Sequence, residues 1–205
     1  MRSTASEFRA GSDQTMAHYR DISFQPLREQ DLPLLYTWLQ EPHVREFYHR
    51  KGVSSWEETR QEYLRRLVPE WPTKCFLSCC DGRTVGYIQT YKVSDYPEYG
   101  ALIGETAGIS IDLFIGDTAY VGRGWGRLIL LKFLNEVAFP LFPDEEVCWI
   151  YHEPSNQRAL RASKAVGFQY VRDFLEEGDL KELLTIRKEE AVIRGLLYDQ
   201  KIHPA

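Results

Sequence analysis

The chain has 205 residues, of which 43% are hydrophobic and 27% charged, a composition typical of one globular domain with a sizeable core. Its formal net charge of −5, without any basic face, argues against nucleic acid as a partner. It contains no run of about 18 uncharged apolar residues, which excludes a membrane-spanning helix.

Residues 1–17 lack the apolar central region of a secretory signal, so we interpret them as a disordered leader or a remnant of cloning. We therefore expect a cytoplasmic protein. Four cysteines, Cys75, Cys79, Cys80 and Cys148, lack the spacing of metal ligands. They favour buried free thiols over disulfides, and no metal site is predicted.

The first half of the chain predicts a strand, two helices and a hairpin. The strand is "ISFQPLR", and Asp31 begins the first helix. The second helix starts at "SSWEE", which contains two overlapping capping boxes, Ser54 to Glu57 and Ser55 to Glu58. Asp81-Gly82 supplies the turn between the two strands of the hairpin.

The second half alternates strands with helices around a glycine-rich segment. A loop, "SDYPEYGALIGET", precedes a strand near Gly108–Ile115, and the glycine segment and an apolar helix follow. The strand "EVCWIYH" leads to the helix "SNQRALRASKAVGF" and a final hairpin. This order predicts an α+β (α/β layered) fold, a single mixed β-sheet of about seven strands flanked by about four helices. The domain is expected to span residues 18–190, with a C-terminal tail at 191–205.

The glycine segment "VGRGWGR" leaves two interpretations open. A helix that directly follows a strand presents unpaired N–H groups to one point, and glycines let an anion approach them. The segment could therefore hold a pyrophosphate, or it could be a tight basic turn. It is not a P-loop, because no Gly-Lys-Ser/Thr follows. Nor is it the dinucleotide fingerprint, because Gly122, Gly124 and Gly126 recur at every second residue.

"VGRGWG" resembles the R/Q-x-x-G-x-G/A pyrophosphate loop of the GCN5-related N-acetyltransferases (GNAT), with Val121 where that family usually has Gln or Arg. "SNQRALRASKAVGF" resembles the family's second signature, N-x-R-A followed by G-F. The resemblance covers roughly residues 22–187 and implies acetyl-CoA bound at a splay between the two central strands. The residues it implies for acetyl-CoA are Leu113, Phe114, Ile115, Val121, Gly122, Arg123, Gly124, Trp125, Gly126, Arg127 and Asn156.

Within this superfamily the chain resembles the aminoglycoside 6′-N-acetyltransferases. "VGYIQTY" and "SIDLFIGDTAYVGRGWG" are similar to their segments, with Asp112 on the family's aspartate. Related siderophore and lysine-type acyltransferases tend to carry His near that aspartate. The resemblance implies direct acetyl transfer from acetyl-CoA to a primary amine of a cationic aminoglycoside, which would confer antibiotic resistance. It also implies that the enzyme is a monomer or a homodimer. The alternatives are another small amine (lysine-like, siderophore-like or a polyamine) and a non-catalytic acetyl-CoA-binding module.

Two residues are candidates for catalysis. An amine is mostly protonated at neutral pH, so a base must remove a proton before attack. Asp112 lies within a strand rich in Ile and Phe, where Asp is uncommon, and is the candidate base. Its alternative role is a solvent-facing charge. Many family members have a Tyr as the acid for the leaving thiolate, and Ser163 takes that position here.

A polycationic substrate predicts carboxylates and tyrosines around the amine. "SDYPEYGALIGET" supplies three carboxylates just before the Asp112 strand, although a solvated acidic loop is an alternative. Related enzymes often have Asp where Tyr151 stands, and Glu153 is a candidate to replace that charge. The predicted substrate-binding residues are Tyr48, Gln89, Tyr91, Asp95, Glu98, Glu105, Tyr151, Glu153 and Asp179.

Overall fold

The computed structural model describes residues 19–48 and 55–202, with side chains as far as residue 198. The leader predicted for residues 1–17 and the capping residue Ser54 lie outside the described residues. The second capping box is confirmed, because Glu58 N donates to Ser55 Oγ at 3.2 Å and Ser55 N donates to Glu58 Oε2 at 2.8 Å. All four cysteines are buried free thiols, as predicted.

A mixed seven-stranded sheet forms the centre of the molecule and confirms the predicted architecture. The strands lie in the order β1-β2-β3-β4-β5-β7-β6, and every neighbouring pair is antiparallel except β4 and β5. Their bounds are β1 (Ile22–Pro26), β2 (Lys74–Cys80), β3 (Arg83–Lys92), β4 (Ile109–Ile115), β5 (Val147–His152), β6 (Gln169–Glu176) and β7 (Asp179–Arg187).

Helices cover both faces of the sheet. Their bounds are α1 (Leu32–Gln40), α2 (Pro42–Arg45), α3 (Trp56–Arg66), α4 (Pro97–Ile103), α5 (Trp125–Phe133), α6 (Phe139–Leu141), α7 (Gln157–Val166) and α8 (Lys188–Ile202), and a π-helical turn joins α5 to α6. No helix within 19–48 and 55–202 is long and apolar enough to cross a membrane.

Two segments differ from the sequence-based expectation. The predicted loop "SDYPEYGALIGET" contains α4, which begins at Pro97 and ends at Gly104, a left-handed residue with φ 66°. The C-terminal tail, expected from residue 191, belongs to α8, which begins at Lys188. The expected domain boundary at residue 190 therefore falls inside a helix. Ala191 of this helix is fully buried in the main core.

Each face of the sheet has its own core. The main core packs Ile109 and Ile111 of β4 against the apolar sides of α5, α7 and α8. On the other face, Trp38 of α1 and Tyr63 of α3 pack with Phe114 of β4. Alternate residues of β4 therefore pack into opposite layers, because successive side chains of a strand point to opposite faces of the sheet. Asp112 shares the face of Phe114.

The two central strands separate after a short contact. Parallel pairing between β4 and β5 lasts for two residue pairs, Ile109 with Cys148 and Ser110 with Trp149. Beyond Ser110 the strands diverge toward their C-terminal ends, so the sheet opens into a gap at its centre. This gap matches the splay implied by the family resemblance.

The register of β3 and β4 places Gln89 directly opposite Asp112. Residues directly opposite one another in an antiparallel pair have their side chains on the same face. Gly86 helps to define this close pairing, because a Cβ there would lie 2.3 Å from the carbonyl oxygen of Phe114.

Candidate active site

A cleft of about 990 Å³ opens from the gap between β4 and β5. Its walls come from the C-terminal halves of both strands, the loop before α5, and helices α2, α3 and α7. The cleft therefore reaches both faces of the sheet. Helix α3 contributes both Glu62 and Arg66 to the lining on one face, and α7 contributes Arg158 and Arg161 on the other.

The glycine segment forms the turn that leads into α5. Gly122 and Gly124 have φ of 75° and 85°, a left-handed conformation that other residues adopt with strain. Because Gly124 is the N-cap of α5 and has no side chain, the first N–H groups of the helix face the cleft without a side-chain cap. The backbone geometry explains the glycines at positions 122 and 124, whereas Gly126 lies within α5. The turn provides the kind of anion-binding helix N-terminus that a pyrophosphate requires.

The predicted cofactor residues mostly lie together. Those that line the cleft are Leu113, Phe114, Ile115, Val121, Gly122, Gly124, Gly126, Arg127 and Asn156. Arg123 is exposed and is not among the lining residues. Trp125 is buried in the main core, with its ring 5.6 Å from that of Tyr120, so only its backbone is available to a ligand.

Helix α7 supplies further groups on the same side of the cleft. Asn156 is its N-cap, and its Oδ1 accepts from Ala159 N at 3.2 Å, so this residue has a structural role as well as a place in the lining. Arg158 and Arg161 also line the cleft, and both are exposed. These two arginines were not among the predicted site residues, although their i,i+3 spacing puts both on one helix face. With Arg127 they provide three guanidinium groups for phosphates.

Strand β4 offers a backbone edge to an extended ligand. Beyond Ser110 its β5-facing side lies along the gap, where Leu113, Phe114 and Ile115 line the cleft. A pantetheine arm can pair with such an edge in the manner of an added strand. His43 Nε2 lies 2.9 Å from the carbonyl oxygen of Ile115 at the end of this edge, a contact that the sequence analysis did not anticipate.

Asp112 lies at the edge of the gap and is enclosed by polar and aromatic side chains. Its Oδ2 accepts a hydrogen bond from Gln89 Nε2 at 2.7 Å. Burial raises the pKa of Asp112, while the bond from Gln89 and the charge of Arg66 act in the opposite direction. A half-buried carboxylate with these partners is suited to hold an ammonium and accept its proton.

Ser163 and His152 meet on the opposite wall. The Ser163 Oγ and His152 Nε2 atoms are 2.8 Å apart, and both residues line the cleft. Burial lowers the pKa of His152 to about 4, so its ring is neutral at physiological pH. A neutral imidazole carries one N–H and one acceptor nitrogen, so it can donate to the serine or accept from it.

The predicted substrate residues are only partly brought together. Tyr48, Gln89 and Tyr151 line the cleft. Tyr91 lines an adjoining recess of about 240 Å³, together with the aromatic rings of Trp71, Tyr96 and Tyr99. Gln89 belongs to both linings.

The predicted carboxylates lie elsewhere. Asp95, Glu98 and Glu105 are not among the residues that line the cleft or the recess, and the first two are exposed. Asp179 is the exposed first residue of β7, directly after the turn from β6. Glu153 is buried, and its Oε1 accepts from Lys181 Nζ at 2.9 Å.

Two carboxylates that were not predicted line the cleft instead. Glu46, just after α2, and Glu62 of α3 line the cleft on the Asp112 face of the sheet. Glu176 accepts a hydrogen bond from the hydroxyl of Tyr151 at 2.9 Å. The sequence contained no spacing that connected these residues with β4. Within the described part of the chain, no cluster of three or more potential metal-ligating residues was found.

Known proteins resemble this chain in both sequence and fold. An aminoglycoside N(6′)-acetyltransferase type 1 of Klebsiella pneumoniae is 26% identical over 153 residues, which cover 72% of this chain and 74% of that protein. The structure of the aminoglycoside acetyltransferase AAC(6′)-Ib with coenzyme A superposes with a TM-score of 0.66 and 19% identity, covering 82% of this chain and 96% of the other.

An uncharacterized protein of Bacillus halodurans, bh2621, superposes with a TM-score of 0.74 and 18% identity, covering 91% of this chain and 95% of the other. The sequence profile described as "Acetyltransferase (GNAT) domain" matches residues 28–175, well over half of the chain. The chain therefore belongs to the GNAT acetyltransferase family and is an acetyl-CoA-dependent N-acetyltransferase.

Proposed function

We propose that the protein transfers acetyl from acetyl-CoA to the 6′-amine of a cationic aminoglycoside, and so inactivates the antibiotic. The observation that carries the proposal is the position of Asp112, a half-buried carboxylate that lines the cleft at the edge of the gap between β4 and β5. The similarity to aminoglycoside N(6′)-acetyltransferases supports the choice of amine.

The distribution of charge in the cleft also supports a cationic substrate. On the Asp112 face of the sheet the cleft is lined by Glu46 and by Glu62, which pairs with Arg66, so that with Asp112 the carboxylates outnumber this arginine. Arg127, Arg158 and Arg161 line it on the opposite face, where phosphates would bind. A polycation and a polyanion would therefore each meet the opposite charge.

In the proposed mechanism the chain positions and deprotonates the amine. Acetyl-CoA supplies an activated acetyl thioester. Asp112 holds the ammonium and accepts its proton, which frees the nitrogen lone pair for direct attack without an acyl-enzyme. The β4 edge orients the donor, and the glycine turn with the three arginines holds its phosphates. Ser163 lies on the wall opposite to Asp112 and is the candidate hydrogen-bond donor to the departing sulfur.

A second candidate is a smaller amine with fewer positive charges, such as a lysine-like or siderophore-like compound. The observation that favours it is Arg66, which lines both the cleft and the recess beside Asp112. The recess is otherwise formed by aromatic and uncharged polar side chains and contains no carboxylate among its lining residues. A second ammonium group would be repelled there, whereas a carboxylate would be attracted.

The test mixes purified protein and acetyl-CoA with four kinds of acceptor and follows the release of free thiol. The acceptors are 6′-amino aminoglycosides, an analogue with a 6′-hydroxyl, lysine and spermidine. Release with the 6′-amine and not with the 6′-hydroxyl supports the proposal. Release with lysine or spermidine alone would replace it with the second candidate or with a polyamine.

The matched variants are Asp112→Asn and Asp144→Asn. Asp144 is an exposed loop residue outside the cleft lining, so its substitution changes charge equally without touching the site. General-base catalysis contributes about 10²–10⁴-fold, so Asp112→Asn is expected to lose activity on that scale. Binding of coenzyme A should be retained by both variants.

A further inference from the structure

A chain of three hydrogen-bonded side chains connects α3 with Asp112. Arg66 Nη1 donates to Gln89 Oε1 at 2.8 Å, and Gln89 Nε2 donates to Asp112 Oδ2 at 2.7 Å. The hydroxyl of Tyr87 also contacts Gln89 Oε1, at 2.7 Å. Gln89 is only 8% exposed, so its amide depends on these partners for its hydrogen bonds.

Chemistry settles which way the amide faces. A guanidinium can only donate, so the amide oxygen must face Arg66. The amide nitrogen then has to face Asp112, where it donates a hydrogen bond. An ionised carboxylate only accepts, and this donor therefore favours the ionised form.

Arg66 is itself held in place. It forms an ion pair with Glu62 one turn earlier in α3, and its guanidinium lies 4.7 Å from the ring centroid of Tyr63. Gln89 stands between the guanidinium and the carboxylate, so Arg66 does not pair with Asp112 directly. A direct ion pair would compete with the substrate for the carboxylate, and the intervening amide prevents this competition.

We propose that Arg66 acts through Gln89 as a positioning device, which fixes the amide so that Asp112 stays ionised and presents its second oxygen to the amine. Gln89 and Arg66 are thus positioning residues rather than substrate ligands. The interaction uses Oδ2, so the amine is expected at Oδ1.

One other neighbour acts in the same direction as Gln89, because a hydrogen bond from Tyr91 also lowers the pKa of Asp112. Burial raises the pKa of four neighbouring phenols, so they stay neutral at physiological pH: Tyr48, Tyr91, Tyr99 and Tyr151. The buried thiols of Cys75 and Cys148 have raised pKa values for the same reason. The charge of Glu176 raises the pKa of Asp112, which leaves Arg66 as the cation that opposes burial.

The test follows the titration of the Asp112 carboxyl by carbon NMR on protein labelled with ¹³C-aspartate, without amine or acetyl-CoA. Asp112→Asn assigns the signal. Gln89→Met and Arg66→Met each remove the polar group of one positioning side chain. The variant that carries both substitutions completes a double-mutant cycle. Arg65→Met is the matched control, because Arg65 is the exposed neighbour of Arg66 on the same helix.

Both single substitutions should raise the Asp112 pKa, and Arg65→Met should leave it unchanged. The shift in the double variant should be smaller than the sum of the single shifts, because Arg66 has little to act through once Gln89 is removed. Additive shifts would overturn the proposal, since they indicate that Arg66 acts by its charge alone. An unchanged titration in Gln89→Met would overturn it as well.

Gln89→Glu provides a second test that preserves the size of the side chain. It places a carboxyl beside Asp112, so one proton should be shared and the pKa of the pair should rise. With an amine that the wild type acetylates, the lost activity should return as the pH is raised, which a purely structural defect would not show. The NMR titration is independent of the proposed substrate, so failure of the aminoglycoside assignment leaves this proposal open to its own test.

Discussion

The imidazole of His152 and the hydroxyl of Ser163 are held 2.8 Å apart, across the gap from Asp112. Ser163 stands where many GNAT enzymes have a tyrosine. A neutral imidazole that donates its Nε2 proton to Ser163 Oγ leaves the serine hydrogen free to point into the cleft. In the proposed mechanism this pair would stabilise the leaving thiolate by a hydrogen bond, without transfer of a full proton.

We expect Ser163→Ala to lower kcat about tenfold with little change in the KM for acetyl-CoA, because one hydrogen bond to a developing charge is worth roughly 1–2 kcal/mol. Ser163→Thr, which keeps the hydroxyl, should retain most of the activity. Steady-state kinetics with saturating amine distinguishes the two variants. A tenfold rise in KM at constant kcat would instead assign Ser163 to ground-state binding.

The low pKa of His152, about 4 against 6.5 in the unfolded chain, links stability to pH. Between these values the unfolded state binds more protons, so the free energy of unfolding should fall as the pH drops from about 6.5 toward 4, by at most roughly 3 kcal/mol. Denaturant unfolding at several pH values measures the slope. His152→Gln should show a shallower slope, and an identical slope would contradict this assignment.

The glycine turn can be tested with two glycines of similar backbone conformation. Gly122 and Gly178 have φ of 75° and 92°, and a Cβ at either would meet no atom within 4 Å. Alanine at either position should cost a similar free energy of unfolding, about 1–2 kcal/mol. Only Gly122→Ala should weaken binding of coenzyme A, measured by calorimetry, because Gly178 lies in the β6–β7 turn. Equal affinities in both variants would contradict a phosphate-binding role for the turn.

The arginines of α7 are expected to contribute to phosphate binding. Arg158→Gln and Arg161→Gln should each weaken coenzyme A binding roughly five- to tenfold, which corresponds to about 1–1.4 kcal/mol. The loss should shrink at high salt, because these side chains are exposed. Arg187→Gln removes an exposed charge at the end of β7 and serves as the control. A loss of the same size in Arg187→Gln would indicate a general effect of net charge.

Features set by local chemistry could be predicted from the sequence. The Ser55–Glu58 capping box depends on residues three apart, and the hairpin turn at Asp81-Gly82 depends on two residues with positive φ, 51° and 75°. Asp112 was predictable as a candidate because a carboxylate is conspicuous in a strand of Ile and Phe. The glycine turn was predictable because Gly122 and Gly124 adopt positive φ, a conformation that favours glycine.

The carboxylates around the amine site could not be predicted in the same way. The segment with Asp95 and Glu98 folds into α4 and the turn before it, whose aromatic side chains Tyr96 and Tyr99 line the recess while the acids face outward. Sequence proximity to β4 placed these acids near the site, but the direction of each side chain depends on tertiary packing. Glu62, Arg66 and Glu176 lie far from β4 in the chain and reach it only because the layers pack together.

The close pairing at Gly86 has a consequence for how such enzymes can diverge. Any side chain at residue 86 would push β3 away from Phe114 and disturb the register that sets Gln89 opposite Asp112. A slip by one residue would turn Asp112 toward the opposite, apolar layer of the protein. Variants of this chain can therefore change the loops around the cleft, whereas residue 86, which does not line the cleft, must remain glycine to keep Gln89 opposite Asp112.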